Sequence, residues 1–505
     1  MKGAVAAGSE LTAEAGAWAL RAGGNAVDAA IAATLMAGVA EPLLTGIGGA
    51  GLATIRFGGE VYTCDFFSNM PGTTDPAAEA ASMDSVSINY GPTTQGFLVG
   101  PGSAAVPGVP AGLSALSDRF GVLPMETLVK PAIQAAVDGA EVTPGFERVC
   151  ELLWPILARS DKLRLLFAPN GERLRTGDTF YCPELARTLE AFGDDPHYFK
   201  TGGGARALLS HLEGQTLISA QDLERQEAQI RRAIPVKYRD ATVWVPGAPS
   251  AAGVGIAHTL AALEASNPDA EPTGLSIIRR LEEALSATVN LRGKPFLRDL
   301  FTEGFEASFV ARVQAMRNPG GRASPGHTTH ISTVDQSGNA VSITHSLGET
   351  SGETAGDTGV IINNFLGEFD VNPPFLRRPA GSRLITMCCP SIIELGDGRV
   401  VALGSGGSSR IPTAVLHGAI YMIDHGWSVT QAVRGPRTHV EDGKLHVESD
   451  GRTDATMERL TAESPKFIRF DGPNMFFGGL HAVSVGGDGF AGHGDARRSG
   501  AFVEA

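Results

Sequence analysis

Charged side chains are scarce in this chain. Asp, Glu, Lys and Arg make up 19% of its 505 residues, with 55 acidic against 41 basic. The resulting net charge of −14 repels phosphate backbones, so nucleic acid is not an expected partner. Cysteine is nearly missing. Cys64, Cys150, Cys182, Cys388 and Cys389 are odd in number and two are neighbours, which argues against a disulfide framework and for a reducing, cytoplasmic setting. The longest apolar run, residues 26–40, is too short to span a bilayer. No basic amphipathic stretch suits a membrane surface. The opening residues, with their early Glu10, do not read as a secretory signal.

Several catalytic signatures are also lacking. There is no G-x-S-x-G elbow of the serine α/β-hydrolases and no helical H-E-x-x-H. His327 and His330 would point to opposite faces of a strand, as would Cys388 and Cys389, so no metal is expected. Gly46, Gly48 and Gly51 have dinucleotide spacing, with Asp65 placed as a ribose acid, and this is the basis of an alternative reading as an NAD-dependent oxidoreductase. That fingerprint must open a helix, whose N-terminus holds the pyrophosphate. Here LATIRF follows, which reads as a strand, so a structural turn is the better reading and no cofactor is expected.

What is present in quantity is glycine and proline, 64 and 30 residues, without a short period. That fits a globular enzyme rich in tight turns. Residues 10–23 have helical spacing and stop at Gly23-Gly24. Asn25 is placed to cap a second helix, with Asp28 at its third position, and AVDAAIAATLMAG is apolar nearly all round and therefore buried. A glycine loop and a hairpin turning at Gly58-Gly59 follow. Residues 110–300 read as mainly helical, broken by Pro124, Pro131, Pro144 and Pro155, with a strand at ATVWV and another helix near 253–265. A glycine- and proline-rich linker around residues 316–327 is a good site for chain cleavage. After it, TTHISTVDQSGNAVSITHS reads as two strands about the turn Gln336–Asn339. GVIINNFLGEFD, RLITMCCPSIIEL and RVVALGSGGSSR extend a strand-rich half. The fold class is α/β and layered.

The linker-to-strand switch draws attention to Thr328. If the bond from His327 to Thr328 were cut, Thr328 would carry both a hydroxyl and a free α-amine. An α-amine titrates near pH ~7.7–8.0 and can act as the general base for its own hydroxyl. The glycine-rich VVALGSGGSSR could supply backbone N–H groups to an oxyanion.

These residues resemble the γ-glutamyltranspeptidase family. The motifs run in the family's order over nearly the whole chain: AGGNAVDAAIAA at 22–33, LTGIGGAG at 44–51, VPGVPAG at 106–112, PSAAG at 249–253, TTHISTVDQSGNAVSIT at 328–344, INNFLGEFD at 362–370 and GSGGSSRIP at 404–412. The resemblance implies a four-layer αββα N-terminal-nucleophile hydrolase. It would be cut autocatalytically into a large, helix-rich subunit, 1–327, and a small, strand-rich subunit, 328–505. It places the nucleophile on Thr328, the assisting hydroxyl on Ser346 and the family's Gly-Gly oxyanion pair on Gly407 and Ser408, where a serine still offers its backbone N–H. His327, Thr328, Thr329 and His330 make up the processing site. The implied partners are a small-molecule substrate and the two subunits themselves, and an oligomer is compatible with both.

The departures from the family pattern fall at the substrate head group. The usual arginine is Phe67, the asparagine after the assisting hydroxyl is Gly348, and the residue after Asn363-Asn364 is Phe365. The family's aspartate is Glu368, and its paired serines are Thr386 and Met387. The expected substrate is thus an amide or related acyl compound and not ordinary glutathione. Relatives of this kind act on oxamate or cephalosporin side chains. Others, in lincomycin and pyrrolobenzodiazepine pathways, cleave a carbon–carbon bond of an alkylproline precursor. A precursor that never matures and only binds its ligand is the non-enzymatic alternative.

Overall fold

A computed structural model describes the chain apart from residues 1, 75–82, 90–93, 265–270, 292, 306–327, 377, 442 and 465–466. The linker around 316–327 and His327 therefore lie outside the described residues.

The N-terminal segment folds as its spacing predicts. Helix Glu10–Arg21 starts at the Ser9 cap and ends before Gly23. Asn25 and Asp28 form a reciprocal capping box at the start of helix Ala26–Ala40. The same Asp28 carboxylate accepts from the N–H groups of Val122 and Leu123 and so ties a distant turn to this helix. The helix is buried nearly all round, as an Ala-rich helix without a polar face must be. The glycine loop opens strand Ala50–Phe57, which turns at Gly58-Gly59 into strand Glu60–Phe66.

Two antiparallel sheets form the centre. One has seven strands in the spatial order Ala501–Glu504, Gly3–Ala7, Thr329–Asp335, Ala340–Ser346, Ala50–Phe57, Glu60–Phe66 and Gln229–Arg232. The other has six, in the order Gly489–His493, Gly479–Gly486, Val400–Gly406, Ser391–Glu394, Ala241–Val245 and Ile234–Tyr238. Each sheet takes strands from both sides of Thr328. Helices Glu10–Arg21 and Ala26–Ala40 cover the outer face of the first sheet, and helices Ala251–Glu264 and Ile411–Ile423 cover that of the second. This is the expected four-layer αββα sandwich.

Between the sheets, Ala4, Ala6, Val334, Ile392, Ala402 and Val483 form a thin apolar layer. Hydroxyls complete it: Ser342 Oγ donates to Leu403 O at 2.8 Å and Thr54 Oγ1 to Pro390 O at 2.7 Å, each crossing from one sheet to the other. Buried hydroxyls need such partners, and these contacts fix how one sheet sits on the other.

Three expectations require correction. GVIINNFLGEFD is not a regular strand. It is a loop with a short 3-10 turn at Phe365–Gly367. The Asn363 side chain does there what a neighbouring strand would do, donating to Gly48 O and Ala105 O and accepting from Ala105 N–H. In RLITMCCPSIIEL only Ser391–Glu394 is a strand, beginning after Pro390, which lacks an N–H for the ladder. Pro131 and Pro144 do not break helices. They sit in the first turns of Lys130–Asp138 and Pro144–Leu157, where the missing N–H has no helical partner to lose. Pro155 lies inside Pro144–Leu157, close to its C-terminal end.

Asp335 closes the hairpin that carries Thr328. One oxygen accepts from the N–H groups of Ser337 and Asn339, and the other from Asn339 Nδ2 and from Ala26 N–H at the head of the buried helix. Asp335→Ala should therefore cost about 2–4 kcal/mol in denaturant unfolding, since it orphans buried donors in two elements at once. A loss below about 0.5 kcal/mol would show that water replaces the carboxylate there.

Candidate active site

Thr328 immediately precedes strand Thr329–Asp335 and is 5% exposed. Its Oγ1 donates to Ser346 Oγ at 3.3 Å, and Ser346 Oγ also accepts from Gly348 N–H at 2.9 Å. The Thr328 carbonyl accepts from Arg498 Nη1 at 3.4 Å. On the opposite sheet, a methyl group added at Gly406 would stand 2.0 Å from the Thr328 carbonyl oxygen. Glycine at 406 is thus what lets the end of strand Val400–Gly406 approach Thr328.

A cavity with an empty volume of about 360 Å³, partly open to solvent, is lined by Thr328 and Ser346. Of the substrate residues read from the sequence, it brings together Phe67, Phe365, Glu368, Thr386 and Met387, and with them Ser408 of the expected oxyanion pair. Gly348 and Gly407 are not on its wall but stand directly behind it. A methyl group at Gly348, where φ is +69°, would lie 2.0 Å from Glu368 Oε1 and 2.3 Å from Asn364 Oδ1. An asparagine at that position would displace these groups. Gly407 has φ +115° and precedes Ser408, which is left-handed at φ +47°. For a residue with a Cβ, such a conformation costs roughly 1–2 kcal/mol.

Thr329 and His330 do not reach this cavity. Thr329 Oγ1 donates to Glu41 Oε2 at 2.6 Å, and Thr12 Oγ1 donates to the other Glu41 oxygen at 2.8 Å. Burial pushes the Glu41 carboxyl above its usual range, against these two hydroxyls. His330 is sealed between the sheets, with ring nitrogens 2.8 Å from Thr344 Oγ1 and Ser332 Oγ. Burial pushes its pKa well down, so it is neutral. Gly404 makes room for the ring, since a methyl there would lie 2.3 Å from His330 Cε1.

The cavity is apolar on one side and acidic on the other. The Phe67 and Phe365 rings pack at 5.0 Å between centroids. Neither arginine that stands near in sequence lines it. Arg383 is held by Asp65, the Phe67 carbonyl and Asn69, and Arg410 by Ser409 and Glu441. The grip on Asp65 also removes that residue from any ribose-binding role. Sequence reasoning missed Asp370, Val371, Cys388 and Ile411 on the wall. Asp370 closes the motif INNFLGEFD, but no period or spacing marks it as facing Ser408.

Burial, aided by the nearby Glu349 and Asp370 carboxylates, pushes the Glu368 carboxyl well above the ordinary range. A carboxyl that holds its proton more tightly folded than unfolded loses stability as pH rises from the unfolded pKa toward the folded one. Glu368→Gln lacks that proton, so its melting temperature should gain on wild type between pH 5 and pH 8. A constant difference across this range would mean that Glu368 titrates normally.

The model for "Gamma-glutamyltranspeptidase" matches residues 12–505. The acylase ACY 1 proenzyme of Pseudomonas sp. (strain V22) is 30% identical, over 97% of this chain and 90% of that protein. The glutathione hydrolase proenzyme of Escherichia coli (strain K12) is 28% identical, over 97% and 89%. Cephalosporin acylase from Bacillus halodurans has the same fold, with a TM-score of 0.81 at 21% identity over 99% of this chain and 95% of that one. The chain belongs to the γ-glutamyltranspeptidase family of N-terminal-nucleophile hydrolases and transferases.

Proposed function

We propose that this chain is a self-processing acylase in which Thr328 first cuts its own precursor and then attacks an amide with an apolar acyl group. The observation that carries the proposal is the Thr328–Ser346 hydroxyl pair on the wall of a cavity that Phe67, Phe365 and Met387 make apolar.

In processing, Thr328 Oγ1 adds to the carbonyl carbon of residue 327 and the peptide nitrogen leaves as the α-amine. This gives an ester that water opens. The mature Thr328 amine then takes the hydroxyl proton as Oγ1 attacks the substrate carbonyl. Ser346 orients Oγ1 during the attack. The N–H groups of Gly407 and Ser408 receive the negative charge that develops on the carbonyl oxygen, at about 3–4 kcal/mol per donor. The leaving amine takes the proton, and water, deprotonated by the α-amine, releases the acid. That relatives are named proenzymes supports the processing step.

Specificity follows from charge. A γ-glutamyl α-carboxylate would enter this cavity beside Glu368 and Asp370, with no arginine on the described wall. A carboxylate buried without a cationic partner costs several kcal/mol. An apolar acyl group against the paired phenylalanines has no such cost. Cleavage of a carbon–carbon bond in an alkylproline precursor would use the same nucleophile, and the reaction products separate it from amide hydrolysis.

Two measurements check this reading. Wild type should run as two fragments under denaturing conditions, with the smaller beginning at Thr328, while Thr328→Ala remains one chain. Cleavage of that variant at the same bond would remove Thr328 from processing. In mature wild type, kcat/KM for hexanoyl-p-nitroanilide should exceed that for γ-glutamyl-p-nitroanilide at least tenfold, and Phe67→Arg should narrow the gap. A preference for the γ-glutamyl compound would overturn the specificity argument.

A further inference from the structure

The turn after strand Val400–Gly406 carries an unusual load. Ser408 occupies a left-handed conformation, φ +47°, at the position where the family pattern has glycine. Its Cβ makes that conformation unfavourable, and the turn's own Arg410 N–H to Gly407 O bond holds the backbone without engaging the Ser408 side chain. The offset comes from elsewhere. Ser408 Oγ donates to Asp370 Oδ2 at 3.1 Å, and both residues lie on the wall that Thr328 shares. Asp370 belongs to the loop that follows the 3-10 turn Phe365–Gly367, so the tether joins two segments far apart in the chain. A hydrogen bond to a carboxylate is among the stronger neutral-donor contacts.

We infer that Asp370 is a positioning residue that holds Ser408 left-handed and thereby aims the backbone N–H groups of Gly407 and Ser408. The inference rests on the proposed function, which assigns those N–H groups to the oxyanion. Asp370 itself touches no reacting atom in this scheme. Its side chain restores a geometry that glycine would reach without help, because glycine has no Cβ to oppose a positive φ. The side chain at 408 that strains the turn and the carboxylate at 370 that relieves it then form one unit.

The two roles separate in a double-mutant cycle on mature, cleaved enzyme with hexanoyl-p-nitroanilide. Asp370→Ala should lower kcat at least tenfold in the wild-type background, with KM changed less than twofold. In the Ser408→Gly background the same Asp370→Ala change should lower kcat less than twofold, since glycine needs no tether. Asp370→Asn, which still accepts the hydroxyl, should retain more kcat than Asp370→Ala. Equal losses in both backgrounds would overturn the inference, as would an effect on KM alone, which would make Asp370 a substrate contact. Wild type that is cut before Thr328 and turns over the anilide is the control. Without it the parent reading fails, and with it a failed cycle counts against the tether alone.

Discussion

Gly404 and Gly406 let strand Val400–Gly406 lie against the strand that Thr328 opens, and most of the site depends on that contact. A methyl at 404 would enter the His330 ring, and one at 406 would enter the Thr328 carbonyl. Because neither is there, the two sheets meet closely at Thr328. Ser408, in the turn that follows, is thereby brought onto the wall that Thr328 and Ser346 share, with Gly407 behind it. Hydroxyls and a neutral histidine fill the space that larger apolar side chains occupy elsewhere between sheets. Their hydrogen bonds leave the strand little freedom to slide, since a slip of one residue would bury several donors without acceptors.

The acidic groups around the site are divided by burial. Glu41 sits behind the strand, where it receives Thr329 and Thr12, and Gly8 must lack a side chain for its carboxyl to fit there. Glu368 sits in front, next to Gly348, and burial and the like charge of Glu349 and Asp370 push its carboxyl well above the ordinary range. A cavity that discourages negative charge on its own carboxyl is poorly suited to accept a second carboxylate from a substrate. In the function proposed above, the aromatic pair Phe67–Phe365 and the unfavourable electrostatics act in the same direction, toward an apolar acyl group.

Much of the architecture was legible in the sequence because it rests on local chemistry. The capping box at Asn25, the Gly58-Gly59 hairpin and the β-branched alternation on both sides of Gln336–Asn339 are each set by neighbours within a few residues. The same holds for the rejection of a dinucleotide loop at Gly46, where a strand and not a helix follows. The motifs that carry the family resemblance named Thr328 and Ser346, and their hydroxyls do meet at 3.3 Å. The loop 359–370 was misread for the opposite reason. Its order comes from Asn363, which bonds to backbone groups at Gly48 and Ala105, hundreds of residues away in the chain.

By itself the sequence determined which residue types were available for chemistry and where the chain changes from helix to strand, since caps, turns and side-chain periods are short-range effects. Only the tertiary structure decided where the arginines went. Arg383 and Arg410 lie within three residues of Thr386 and Ser408 in the chain, yet each is held by a buried carboxylate, Asp65 and Glu441, and neither lines the cavity. It also decided that Asp370 faces Ser408. Both outcomes depend on which loops the two packed sheets bring to one edge, a long-range fact that no local pattern encodes.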